Sequence, residues 1–155
     1  MSELESRQIE KRQSLMRACS HATLDELTKA IAHCEPFEVA KDVRAPEVGL
    51  VMVRGRTGGN GAPFNVGEAT VTRAVVQIGQ GAIGYSYLLG RAKARARQAA
   101  VVDALGHDPK HRAVLEDTLI GPVTRRVAEE RETERRKVAA TRVNFFTMVR
   151  GEDGA

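Results

Sequence analysis

The residues best placed to do chemistry lie between Arg54 and Arg91. Arg54 and Arg56 precede a glycine-rich segment, Thr57-Gly58-Gly59-Asn60-Gly61, and Arg73 follows it. Gly58, Gly59 and Gly61 open backbone shapes closed to other residues, and successive N–H groups in such a loop can form an anion-binding concavity. With guanidinium groups at both rims, the pattern would suit a phosphate. Gly and Asn also dominate ordinary turns, so the same residues serve equally as a hairpin connection, which loop chemistry alone favours. The segment is not a Walker loop, because no Gly-Lys-Ser/Thr follows it. It is not a dinucleotide fingerprint either, because the Gly-x-Gly-x-x-Gly spacing is missing and a strand pattern follows. Glu68 is the acid beside the loop, and its simplest role is to pair with Arg73.

Other reactive groups form no recognisable set. Cys19 and Cys34 are the only cysteines. Two cysteines without a secretory signal read as buried free thiols rather than a disulfide, and Cys34 falls on an apolar helical stripe. His107 and His111 are four apart, but Pro109 between them argues against the regular helical turn a metal pair needs. No Ser–His–Asp set and no carboxylate pair stands out, so no catalytic or metal-ligating residue is nominated.

Composition narrows the classes. The 155 residues make one domain with a real core, and with no Trp and few aromatics that core must come from Val, Leu, Ile and Ala. The formal net charge of +4 arises from 24 basic and 20 acidic residues, which suits an acidic partner or anionic ligand but is too mixed to imply nucleic acid. No apolar run reaches membrane-spanning length, and the charged N-terminus has no signal region. The expected location is cytoplasmic, with neither membrane nor nucleic acid as a partner.

These residues need elements to position them. Two amphipathic helices are expected first, about Glu3 to Ser20 and from Thr23 to Pro36, with Thr23 and Glu26 as a capping box. Phe37 to Arg44 alternates like a half-exposed strand. Pro46 marks a turn, and Val48 to Val53, apolar on both faces, reads as a central strand. Ala69 to Ile78 and a run carrying Ile83, Tyr85, Tyr87 and Leu89 complete about four antiparallel strands, joined by a short turn at Gly79-Gln80-Gly81. The other face of the last strand, Ala82, Gly84 and Ser86, is small enough for a helix or another protein to lie close.

A helix from Arg91 to Leu105 follows, with Ala94, Gln98, Val101, Val102 and Leu105 sharing one face, and a short one is expected over Arg112 to Ile120. Gly121-Pro122 opens a long helix charged nearly all round, with Arg125–Glu129, Arg126–Glu130 and Glu132–Arg136 as four-apart pairs. The predicted class is α+β: an antiparallel sheet with helices on one face, a protruding C-terminal helix and a strand-like tail. The tail carries Phe145, Phe146, Met148 and Arg150, and with the helix (about residues 122–155) reads as a partner-docking extension of a single domain spanning 1–155, the alternative being a strand that folds back to complete the protein's own sheet.

Several segments taken together resemble the PhnG family, the G subunit of the bacterial carbon–phosphorus lyase core complex. They are Arg56-Thr57-Gly58-Gly59-Asn60-Gly61, Phe64 to Arg73, Gly84-Tyr85-Ser86-Tyr87, Gly90-Arg91, Val102-Asp103-Ala104-Leu105 and Phe145 to Gly151. The resemblance implies a subunit that assembles with companion H, I and J subunits. With the I, H and ATP-binding L proteins it supports displacement of adenine from ATP by a phosphonate, giving α-D-ribose 1-methylphosphonate 5-triphosphate from methylphosphonate. It also implies that radical cleavage, with its iron–sulfur cluster and S-adenosylmethionine, belongs to the J subunit, and that the I subunit holds the nucleosidase-type site. The G subunit would bind no cofactor itself, with ATP and phosphonate as substrates of the complex. Arg54, Arg56, Gly58, Gly59, Gly61, Glu68, Arg73 and Arg91 are the candidates for anion or partner contact. Phe145, Phe146, Met148 and Arg150 are the candidates for docking. Two positions depart from the family pattern: Ala92 stands where an acid often follows Gly-Arg, and Asn144 where Asp often precedes the paired phenylalanines. A free-standing nucleotide- or nucleic-acid-binding module is the alternative reading.

Overall fold

The computed structural model describes residues 3–34 and 36–141. The order is α1 (Glu3–His21), α2 (Leu24–His33), β1 (Ala40–Arg56), β2 (Pro63–Ile78), β3 (Ile83–Leu89), α3 (Lys93–Leu105), α4 (Pro109–Leu115), a π-helical segment (Glu116–Ile120) and α5 (Gly121–Ala140). The class is α+β. The strands form one antiparallel sheet in the order β1-β2-β3. Among the described residues it has three strands rather than about four, because the two strand-like runs on either side of Pro46 join into a single β1. Pro46 does not turn the chain. It sits where the register with β2 shifts, between Arg44 and Glu47, so a bulge absorbs the residue that cannot donate to the ladder. The same merger puts Val48–Val53 at a sheet edge instead of its centre, which β2 occupies.

α3 is the element around which the others pack. The small face of β3 admits it closely: a Cβ on Gly84 would collide with the Ala100 carbonyl and the Ala104 N–H of α3. The Ser86 hydroxyl donates to the Ala96 carbonyl at 2.7 Å. α1 and α2 cover the other side of α3, so its burial is not a single stripe. Ala96 and every residue from Ala99 to Leu105 are buried, whereas Ala94 is exposed. The core is aliphatic, with Leu15, Leu27, Val76, Val102, Leu115, Leu119 and Val123 nearly or wholly inaccessible.

Within this layer Asp103 ties three elements together. It accepts from Arg12 Nε at 3.1 Å and Nη2 at 2.8 Å, and from the Tyr85 backbone N–H at 2.9 Å. The hydrogen bond to Asp103 outweighs burial and holds the Arg12 guanidinium above its ordinary pKa. The α2 capping box forms as its sequence requires, Glu26 N–H donating to Thr23 Oγ1 at 3.2 Å and Thr23 N–H to Glu26 Oε2 at 2.8 Å. Arg126 of α5 then grips Glu26 at 2.9 and 3.0 Å and donates to the His21 carbonyl at 3.0 Å, docking the start of α5 on α1 and α2.

The expected break before the C-terminal helix does not occur. Pro122 has no N–H to donate to the fourth residue back, and the chain accommodates it with the π-helical segment, in which the Gly121 N–H reaches the Glu116 carbonyl. α4 therefore runs on into α5. Beyond Val127, which packs against the core, α5 is exposed all round to its end, and this half protrudes. Arg126–Glu130 at 2.8 Å and Arg136–Glu132 at 3.1 Å support it; among the described residues Arg125 and Glu129 are not within ion-pair distance. The tail, with Phe145, Phe146, Met148 and Arg150, lies outside the described residues.

Two predictions follow from this packing. Gly84→Ala should destabilise the fold by about 1–3 kcal/mol, since backbone rather than a flexible side chain opposes the new carbon; thermal denaturation would show a clear drop in Tm, and an unchanged Tm would refute the close approach. Burial pushes the Glu26 carboxyl up, but hydrogen bonds from Arg126 and Thr23 outweigh it and leave the group below its ordinary value of 4.5. A lowered folded-state pKa gives stability that is present above the unfolded value and lost as pH falls through the folded one. Glu26→Gln should therefore cost about 1 kcal/mol at neutral pH, with solvent screening limiting a pair whose members are about one-third exposed. The difference should fade below pH 4 or so in denaturant titrations.

Candidate docking surface

The sequence-nominated residues fall into separate places on the surface. Gly58, with φ +59°, and Gly59, with φ +83°, turn the chain at the tip of the β1–β2 hairpin. The Gly61 N–H is spent on the Thr57 carbonyl at 3.0 Å, and Arg56 Nη1 donates to the Gly61 carbonyl at 3.2 Å. Arg56 thus steadies the turn from within, as a hairpin connection would need.

Arg73 lies far from this tip. Arg54 stands opposite Asn65, and Asn65 and Arg73 are eight positions apart on β2, about 26 Å at the rise of an extended strand. Arg54 and Arg56 therefore share no single anion cradle with Arg73. Nor does Arg73 pair with Glu68. An odd separation of five along one strand sends the two side chains to opposite faces, and Arg73 Nε instead donates to Glu47 of β1 at 2.6 Å. Glu68 stands opposite Met52. Arg91 is exposed in the turn between β3 and α3, next to Gly90, whose carbonyl accepts from the Thr72 hydroxyl at 2.6 Å.

The basic cluster at the start of α3 also resolves into different roles. Arg97 is structural, donating to Asp42 at 2.8 Å and to the Ala40 carbonyl at 3.1 Å. Arg95 lies against β3, Nη2 reaching the Leu89 carbonyl at 3.5 Å. Both cysteines are free and buried. Burial, reinforced by Asp103, pushes the Cys19 thiol up to about 12, and burial raises Cys34 as well. Asp108 caps α4 through the Lys110 N–H at 2.8 Å, so Pro109 opens that helix, with His107 before it and His111 inside it.

What sequence reasoning missed is the amount of apolar surface left open on the sheet. α3 covers the face with Thr72, Ala74, Val76, Gly84, Ser86 and Leu88. The opposite face presents Ile83, Tyr85, Tyr87 and Leu89, all exposed, with Leu89 at 71%. Because β3 begins to pair at Val71, the hairpin from Leu50↔Thr70 to Arg56↔Pro63 is a two-stranded ribbon. It carries exposed Leu50, Met52, Val53, Phe64 and Val66. The signal was present in Val48–Val53, apolar on both faces. It reads as a buried strand only if the strand is central.

An α+β core that commits one sheet face to its own helix and holds out an apolar ribbon, an open sheet face and a charged helical arm has the form of a docking subunit. The chain belongs to the PhnG family: the family model described as phosphonate metabolism protein PhnG matches residues 10–151. It is 49% identical over 145 residues to the alpha-D-ribose 1-methylphosphonate 5-triphosphate synthase subunit PhnG of Rhizobium meliloti (strain 1021), covering 94% of this chain and 92% of that protein.

The exposed Arg73–Glu47 pair is worth at most about 1 kcal/mol to the isolated fold. Arg73→Glu loses that pair and sets two exposed carboxylates opposite each other, so it should lower Tm by only a few degrees and impair the reconstituted complex. Adding Glu47→Arg restores the cross-strand pair; if it also restores assembly and activity, Arg73 acts only locally and not on a ligand or partner.

Proposed function

We propose that this chain is a subunit of an α-D-ribose 1-methylphosphonate 5-triphosphate synthase acting in phosphonate catabolism. The reaction breaks the bond between adenine and the ribose of ATP and joins the ribose to a phosphonate oxygen, so adenine leaves as the ribose 5-triphosphate group is transferred. The observation that carries this reading is 49% identity, along 94% of the chain, to a protein named as that subunit.

Within the complex the chain acts as a non-catalytic, assembly-supporting component. Its buried thiols are held protonated by burial, and the buried carboxylate of Asp103 is committed to Arg12 and to the Tyr85 N–H. None of these groups is free to act as a nucleophile or general base. The chain carries no cofactor of its own; ATP and phosphonate are substrates of the whole assembly. Its companions are the H, I and J subunits and the ATP-binding L subunit, and assembly takes place in the cytoplasm. No described helix is long and apolar enough to cross a membrane. Arg54, Arg56, Arg73 and Arg91 supply cationic contacts to an anion or a partner, and the Phe145–Arg150 tail docks on a neighbour.

The test is chromatographic measurement of adenine released from ATP in the presence of methylphosphonate. The isolated chain should release none, the full companion set should release it robustly, and omission of this chain should depress the rate. Turnover by the purified chain alone, with contamination excluded, would overturn the non-catalytic role. Equal rates with and without the chain would overturn the subunit reading.

A further inference from the structure

The two halves of β1 manage their outer edge in opposite ways. An unpaired strand edge is a template for another strand, and proteins blunt it with proline, bulges, charges or a covering element. The first half of β1 uses all four. It contains Pro46, register shifts between Asp42 and Arg44 and between Arg44 and Glu47, and the charges of Lys41, Asp42 and Arg44. Arg97 of α3 covers its start by binding the Ala40 carbonyl and Asp42. The outer edge of β3 is likewise engaged, its Tyr85 N–H by Asp103 and its Leu89 carbonyl by Arg95.

From Val48 to Val53 β1 has none of these devices; the next register shift comes only between Val53 and Arg54. Glu47 to Val53 pairs with Arg73 to Gly67 over seven successive positions without a shift, and no described strand lies on its outer side. Its side chains are apolar on both faces, with Val48 39%, Leu50 61%, Met52 53% and Val53 42% exposed. Beyond it stand Arg54 and Arg56, both exposed, neither in an ion pair with a carboxylate among the described residues. A regular, twofold-apolar edge that ends in uncompensated cations specifies its occupant: an extended apolar strand with an acidic side chain at the arginine end.

Resting on the subunit reading above, we propose that Glu47–Val53 receives such a strand from a companion subunit of the synthase, extending the sheet beyond β1. Main-chain hydrogen bonds would supply the attachment and the flanking charges its register. A second copy of this chain suits the edge less well. Antiparallel self-pairing about Gly49, Leu50 or Val51 sets Glu47, the one acid of the regular stretch Glu47–Val53, opposite neither Arg54 nor Arg56.

The experiment is hydrogen exchange on the full chain, alone at several concentrations and assembled with the H, I and J companions, together with the Leu50→Lys/Met52→Lys double variant. Both substituted side chains are exposed, so the variant should keep the isolated Tm. Expected are outward-facing amides of Glu47–Val53 that exchange freely in the isolated chain and slow by about tenfold or more on assembly, and a variant whose affinity for the companions falls about tenfold or more. Assembly of the wild-type chain without that protection, or undiminished affinity in the variant, would overturn the strand-docking proposal and leave the subunit reading intact. Edge protection already present in the isolated chain would also overturn it, assigning the edge to the chain's own tail if independent of concentration and to a second copy if not. Failure of the wild-type chain to assemble at all would overturn both readings.

Discussion

The close approach of α3 to β3 is the contact on which the rest of the fold depends. It needs an absent side chain at Gly84, a short hydroxyl at Ser86 and the alanines of α3 facing them. Backbones brought this near leave no room for adjustment, so the helix has one position on the sheet. That position delivers the Asp103 carboxylate to the unpaired N–H of Tyr85 and to the guanidinium of Arg12, which draws α1 onto the same layer. With α2 and the π-helical segment closing the other side, a core of small aliphatic residues is enough, and the scarcity of large aromatics is no handicap.

Fixing α3 on one face has a consequence for the other. Ile83, Tyr85, Tyr87 and Leu89 are left exposed on the face away from α3, with the Arg12 guanidinium of α1 over the Tyr85 ring, and the β1–β2 hairpin runs past the end of β3 as a ribbon that no other described element covers. A two-stranded ribbon is marginal by itself in water. Helix α5 shows the same division. Its first turns are buried at Val123 and clamped through Arg126 to Glu26, whereas its second half extends on ion pairs within itself. Both projections begin from the packed core and end in surface that no other described element covers.

This arrangement agrees with membership of a family named for phosphonate metabolism and with close similarity to a synthase subunit. The chemical groups most able to react are turned to structural ends, the thiols into the core and the buried carboxylate into a hydrogen-bonded knot. Meanwhile the cations and apolar residues not needed for folding stand outside.

The sequence by itself determined whatever depends on near neighbours along the chain. The Thr23–Glu26 capping box, the packing of Cys34, the turn at Gly58–Gly59 and the small face of β3 were legible because caps, helical stripes, glycine turns and strand alternation are local rules. The family itself was legible from several short segments in order. The tertiary structure decided what depends on which element lies beside which. Only it could show that Pro46 bulges one long strand rather than separating two, since the ladder to β2 continues across it. Only it could give Arg73 to Glu47, a residue 26 positions away, in place of Glu68 nearby on the same strand. And only strand order could turn Val48–Val53 from a buried centre into an open edge, because apolarity on both faces records that a strand will be covered without recording whether its own chain does the covering.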